Sequence, residues 1–218
     1  MSGRYQADCP AGNFFSVTSY ARAHWTEYND AQQTREVRPL LREALALAGP
    51  GAGRTAIDLG CGLGRETDAL LRAGYLVHAV DMAPDTAEKV RAHTRAEDQQ
   101  RLTVHAVPFG LVRALPHAHL VYAGYSLPYA DPAELPRLWA LVRRTLRPGG
   151  WLAVNLFGEH DSYRGQQPGS YLTGRQIEEL FDGLEVVRLD EQDADGDSFR
   201  GPKHWHLFDV IARRPLGS

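Results

Sequence analysis

Cysteine is almost missing from this chain: Cys9 and Cys61 are the only two in 218 residues. Two thiols cannot make a disulfide framework, and their spacing is not that of a zinc site. No apolar run approaches the length of a bilayer span, so no membrane contact is expected. The polar start "MSGRYQADCP" lacks the apolar core of a secretory signal, and a cytoplasmic location is the expectation. Basic residues do not cluster. Lys and Arg are scattered singly and the net charge is −3, which gives no stripe for a nucleic-acid backbone. Repeats and low-complexity tracts are absent as well. What remains is a partner of small size, a chain long enough to bury its own core, and a monomer or homodimer.

Secondary-structure signals fall into two parts. Residues 1–37 read as an N-terminal helical cap or lid in which Tyr20, Trp25 and Tyr28 lie among polar residues. Residues 38–215 read as one α/β domain. "VRPLLREALALAG" is an amphipathic helix, and strands then alternate with helices: "TAIDLG", "LVHAVDM", "RLTVHAVPF", "AHLVYAGYSLPY" and "WLAVNLFG" are strands one to five. "PAELPRLWALVRRTLRPGG" is a helix closed at Pro148-Gly149-Gly150, and "TGRQIEELFDG" is the helix before strand six, "LEVVRLDEQD". The last strand, "HWHLFDVIARR", follows strand six through the turn-rich "ADGDSFRGPK" with no helix between, so it runs antiparallel. The expected architecture is a Rossmann-like, doubly wound, seven-stranded and mainly parallel sheet with an antiparallel last strand, plus the helical cap. Such sheets take ligands at the carboxyl ends of their strands, where strand order reverses.

At that edge stands "AIDLGCGLGRET", residues 56–67. A strand-to-helix bend without side chains lets backbone N–H groups and a helix start approach a ligand. A dinucleotide fingerprint would need its third glycine at position 65, which is Arg65; the glycine stands at Gly64 instead. An NAD-dependent oxidoreductase fails on that register. The pattern is D-x-G-x-G-x-G from Asp58 through Gly60, Gly62 and Gly64, with Cys61 as a small filler. Strand two ends in a carboxylate, Asp81, 19 residues past Gly62.

Those two features closely resemble motif I and the acidic second-strand end of the class I S-adenosylmethionine-dependent methyltransferases. The resemblance covers about residues 38–214, supported by "LRPGG" before strand five and the paired final strands. "SLPY", "YLTGRQIEELF" and "GPKHWHLF" are similar to the tellurite-resistance and thiopurine-methyltransferase-like small-molecule group. The resemblance implies S-adenosylmethionine as cofactor: Asp58, Gly60, Cys61, Gly62 and Gly64 at the methionine moiety and Asp81 at the ribose. Met82, Val107, Pro108 and Phe109 would flank adenine, and Tyr122 to Tyr125 would pass beneath the sulfonium. "AVPF" departs from the pattern in lacking the Asp or Asn that many relatives offer the adenine amino group. "SLPY" likewise lacks the Asn/Asp-Pro-Pro-aromatic run of enzymes that methylate nucleic-acid bases or protein glutamine.

Methyl transfer from a sulfonium is an in-line displacement that needs positioning and a dry pocket, and a base only where the acceptor loses a proton early. His204 and His206 share one face of the last strand, with Trp205 opposite, at the ligand edge. They are candidates for a base, together with His160, or for half-buried sheet residues. An H-x-H pair without a third ligand at a telling spacing gives no metal site. Tyr129, Glu159, Asp161 and Arg164 are candidates to contact the acceptor, with Tyr20, Trp25 and Tyr28 as an aromatic lid or one side of a packed helix. The expected activity is methyl transfer to a small acceptor. Alternatives are an O- or N-methyltransferase of a secondary-metabolite pathway with a His base, and a binding protein that holds the cofactor without catalysis.

Overall fold

A computed structural model describes residues 25, 27–29 and 31–217. The chain forms two compact units, residues 1–35 and 36–218. In the first, Trp25 and Tyr28 lie three positions apart on helical backbone and meet edge to face, with centroids 5.7 Å apart. Tyr20 lies outside the described residues.

The second unit is a sheet between two helical layers. Its strands are β1 (Thr55–Leu59), β2 (Leu76–Asp81), β3 (Leu102–Ala106), β4 (Ala118–Ala123), β5 (Leu146–Gly158), β6 (Tyr171–Leu172), β7 (Glu185–Ser198) and β8 (Gly201–Arg213). The helices are α1 (Pro39–Ala48), α2 (Arg65–Arg72), α3 (Thr86–His93), α4 (Leu135–Thr145) and α5 (Gly174–Phe181). Strand order is β3-β2-β1-β4-β5-β8-β7, with the short β6 beside β5. All pairs are parallel except those of β8 with β5 and β7. The order turns back between β1 and β4, so the crevice beyond their carboxyl ends is the natural ligand position.

Burial on both faces explains why the inner strands are continuous apolar runs. On one face Leu40, Leu41 and Ala44 of α1 and Leu70 and Leu71 of α2 pack against Ala56, Ala79, Ala153 and Ile211. On the other, Leu138, Trp139 and Val142 of α4 with Ile177 and Phe181 of α5 cover Ile57, Val121, Val154 and Val210. A reciprocal Thr173–Gln176 capping box starts α5.

Three boundaries differ from the sequence expectation. Helix α4 stops at Thr145, because Pro148 pushes Arg147 into extended backbone, and "LRPGG" opens β5. The two-residue β6 adds an eighth strand too short to show any alternation. Most of "ADGDSFRGPK" is strand: β7 and β8 stay paired from Glu185↔Arg213 to Ser198↔Gly201, which leaves only Phe199 and Arg200 as the turn. Pairing of β5 with β8 ends at Phe157↔Leu207, so the ribbon of 193–198 and 201–206 projects past the carboxyl edge with β7 and β8 as each other's strand partners.

Candidate active site

The bend after β1 is held open by glycine conformations that other residues rarely adopt. Gly60, Gly62 and Gly64 have φ of 79°, 52° and 87°. At two of them space is also short. A Cβ on Gly60 would lie 2.2 Å from Ser126 Cβ, and one on Gly64 would lie 2.8 Å from Val90 Cγ1. Gly60 and Cys61 donate their N–H groups to Val80 O, which ties the bend to β2. Gly64 precedes α2, and no side chain among the described residues caps that helix start.

Two carboxylates bracket the bend. Asp58 is buried in β1 and accepts from Thr67 Oγ1 at 2.7 Å. Asp81 Oδ2 accepts the Gly62 N–H at 2.9 Å, and its Oδ1 accepts Ala83 N–H at 3.2 Å. Each Asp81 oxygen keeps a lone pair for a further donor. The Cys61 thiol is buried, and burial pushes its pKa well up, with Asp58 and Asp81 adding to the effect; it stays a neutral filler.

Around the crevice, Met82 is 44% exposed after β2. Val107 and Phe109 are partly buried against the core, and the Arg137 guanidinium donates to Phe109 O and Val112 O, each at 2.8 Å, fixing that segment. Pro108 precedes the short 3-10 turn there. Tyr122 is a buried residue of β4. Tyr125, just beyond β4, has φ +52°, one of two non-glycine residues in that region among those described. Its N–H is accepted by Asn155 Oδ1 at 3.1 Å. The Arg38 guanidinium lies 4.2 Å over its ring, and Trp205 meets it edge to face at 6.2 Å. Tyr129 instead packs edge-on against the buried Phe157.

The histidines are placed differently from expectation. His204 and His206 do share a face, with Trp205 on the other, but Trp205 is the residue on the Tyr125 side. The histidines lie opposite Asp195 and Asp193 in the β7 register. His204 is clasped by two carboxylates, Nδ1 to Asp195 at 2.8 Å and Nε2 to Asp193 at 2.6 Å, and these hydrogen bonds raise its pKa. His206 is buried. Its Nδ1 accepts the His160 N–H at 3.0 Å, so its Nε2 carries the proton that Glu191 accepts at 2.9 Å. All four ring nitrogens are thus engaged by neighbouring groups. His160 stacks on His206 at 4.7 Å and holds Asp193 through Nδ1 at 2.9 Å. Those hydrogen bonds keep Asp193 ionised down to about 2. Ligand atoms of His160, Asp193 and His206 lie within 4.8 Å of one another. A metal would still require the lone pair that His206 spends on a backbone amide.

Asp161 is an internal anchor in this structure. It is buried and accepts Lys203 Nζ at 2.5 Å, Tyr163 N–H at 3.0 Å and His206 N–H at 3.3 Å. The Lys203 ammonium sits 3.7 Å over the Tyr163 ring and 3.8 Å over that of Trp205. Glu159 and Arg164 face each other at 3.7 Å, and Arg164 also donates to Glu159 O. Arg164 lines a cleft of about 500 Å3 with Pro132, Pro136, Tyr171, Leu172 and Gln176, and no residue of the glycine bend lines it. Sequence reading missed Arg38, Ser126, Asn155, Asp193 and Asp209. Only the alternating acids Glu191, Asp193 and Asp195 carried a readable signal, a period of two facing one side of a strand.

Residues 56–150 match the sequence model of a methyltransferase-domain family. The chain is 32% identical over 117 residues to carboxy-S-adenosyl-L-methionine synthase of Yersinia pestis (strain Pestoides F), covering 48% of this chain and 42% of that protein. It thus spans less than half the length of the curated relatives it matches. TehB from Haemophilus influenzae superposes with a TM-score of 0.68 at 14% identity, over 86% of this chain and 65% of that one. The 1,6-didemethyltoxoflavin-N1-methyltransferase of Burkholderia thailandensis, solved with S-adenosylhomocysteine, gives 0.65 at 21%, over 96% and 93%. The N-methyltransferase NodS from Bradyrhizobium japonicum gives 0.62 at 18%, over 90% and 97%. At these identities the structural likeness is one of fold. The family match spans residues 56–150, less than half of the chain, and the structural likeness shows that this chain has the Rossmann-like, mainly parallel sheet architecture shared by these structures.

Proposed function

We propose that the chain is an S-adenosylmethionine-dependent methyltransferase acting on a small-molecule acceptor. The observation that carries this reading is the bend of three left-handed glycines fastened to Asp81 through the Gly62 N–H. That arrangement fits the cofactor. The bare backbone leaves room a Cβ would fill, and the carboxylate beside it retains acceptor positions for a vicinal diol. Asp58, Gly60, Gly62 and Gly64 would hold the methionine part and Asp81 the ribose. Met82 with the Val107–Phe109 segment would flank the base, and Tyr125 would line the sulfonium side. When bound, the cofactor supplies a methyl group already activated by positive sulfur.

The protein's share is then to orient the acceptor and exclude water. Arg38, Tyr125 and Trp205 form a half-buried wall suited to both tasks. The engaged nitrogens of His204 and His206 favour an acceptor that needs no early deprotonation, such as a neutral amine or a thiolate. A base-assisted reaction has a candidate in His160, whose Nε2 is outside any hydrogen bond among the described residues. No helix among the described residues is long and apolar enough to cross a membrane.

Calorimetry with S-adenosylmethionine, S-adenosylhomocysteine and NAD tests the cofactor. The first two are expected to bind with Kd on the order of micromolar; tight binding of NAD instead would overturn the reading. Release of S-adenosylhomocysteine across a panel of amines, thiols and phenols then tests turnover, and none with any acceptor would leave only a binder.

A further inference from the structure

Asn155 and Asp209 are directly opposed in the β5–β8 register, on the sheet face that carries α1. Asn155 is 1% exposed and Asp209 is half-buried. A buried amide between two strands has no part in sheet pairing, and its polar atoms must be satisfied from somewhere. Here both ends are used. Asn155 Nδ2 donates to Asp209 Oδ1, and Asn155 Oδ1 accepts the N–H of Tyr125 at 3.1 Å. The first bond fixes which way round the amide lies, and so guarantees that an oxygen, not an NH2, faces Tyr125.

Tyr125 needs that oxygen. Its φ of +52° is unfavourable for a residue with a Cβ, and such conformations persist only where neighbours over-determine them. Gly124 would have been the easier place for the bend, and the strain sits one residue later, where the ring is. With φ positive, the ring is held between the Arg38 guanidinium and the edge of Trp205. The groups near Asp209 are Arg188, Asp190 and Arg38, beside Asn155 itself. Burial raises the Asp209 pKa most, against the opposing pull of Asn155 and the two arginines.

We infer that Asn155 and Asp209 are positioning residues: through the Asn155 amide they hold Tyr125 in its left-handed conformation and so shape the sulfonium side of the donor pocket. The inference rests on the cofactor reading above and adds two residues that would contact neither cofactor nor acceptor. Losing the amide oxygen lets Tyr125 relax, and apparent affinity falls by the fraction of molecules no longer in the competent form.

The test is a double-mutant cycle read by calorimetry with S-adenosylhomocysteine, so that no acceptor is needed. Asn155→Leu is expected to weaken binding about tenfold, whereas in a Tyr125→Gly background, where positive φ carries no penalty, the same change should cost less than about twofold. Asp209→Leu should resemble Asn155→Leu, and Asp209→Asn, which keeps an acceptor for the amide, should restore affinity to within about threefold of the parent. If Asn155→Leu does not fold, the Asp209 pair decides in its place. Equal losses in both Tyr125 backgrounds, or no loss in the parent, overturn the inference. Absence of binding by the parent protein overturns the cofactor reading instead.

Discussion

Replacing Asp81 by Asn changes two atoms' worth of chemistry and almost no volume. In the parent chain both carboxylate oxygens are acceptors, one for Gly62 N–H at 2.9 Å and one for Ala83 N–H at 3.2 Å. An amide supplies one oxygen and one NH2, so whichever way it turns, one backbone N–H meets another donor. Hydrogen bonds to charged groups contribute about 1.5–3 kcal/mol each, and partial exposure of Asp81 puts this one near the lower end. We expect a stability loss of about 1–2 kcal/mol, which for a chain of this size is about 2–8 °C in Tm. The same oxygens would receive the ribose hydroxyls, so the ligand loses a second contact. Affinity for S-adenosylhomocysteine should therefore fall by about 2–4 kcal/mol, on the order of 30- to 1000-fold. Calorimetry on both proteins gives the ratio directly, and thermal melts with and without ligand give it again through ligand-induced stabilisation. If Asp81→Asn binds within about threefold of the parent, Asp81 is not part of the donor site.

Further outcomes are open to measurement. Gly60→Ala should destabilise by about 2–4 kcal/mol in chemical denaturation, from positive φ together with the 2.2 Å approach to Ser126. Adding Ser126→Gly should recover the clash but not the backbone penalty; no recovery would show that the two residues do not interlock. Asp161→Ala strands a lysine whose side chain is 3% exposed, and urea unfolding should show a loss of about 3–5 kcal/mol, a loss below 1 kcal/mol counting against a buried pair. For His204, the pKa is raised above 6.5 by Asp193 and Asp195, so its stabilising contribution is complete below 6.5 and disappears as pH rises through the raised value. An NMR titration should place the His204 midpoint above 6.5, with weaker amide protection of residues 193–206 at higher pH. A midpoint at or below 6.5 refutes the clasp.

Much of the fold was written in short-range signals. Alternation of apolar strands with amphipathic helices, the glycine bend and the missing helix before "HWHLFDVIARR" give the doubly wound sheet and its reversed final strand. The ends of elements were less legible. Pro148 was readable as a stop, but whether "LRPGG" closes a helix or opens a strand depends on pairing with β4 and on Gly149 N–H reaching Arg214 O, both remote in sequence. The proposed donor edge was visible because the chemistry proposed for it needs glycine and aspartate within a few residues. The rim around Trp205 and the histidines was not, since its residues are brought together by register. That His204 would meet Asp195, or that Lys203 would be buried over Trp205 and Tyr163, follows from which residue of β7 opposes which of β8. Asn155 reads as one polar residue in an apolar strand, and only the fold reveals Asp209 beside it and Tyr125 above.

Ser126 Oγ donates to the carbonyl of Leu59 at 2.5 Å while its Cβ fills the space that any side chain at Gly60 would claim. The segment after β4 and the glycine bend after β1 are thus keyed into each other at a single point. Any enlargement at position 126 is therefore felt at once by the glycine bend after the first strand.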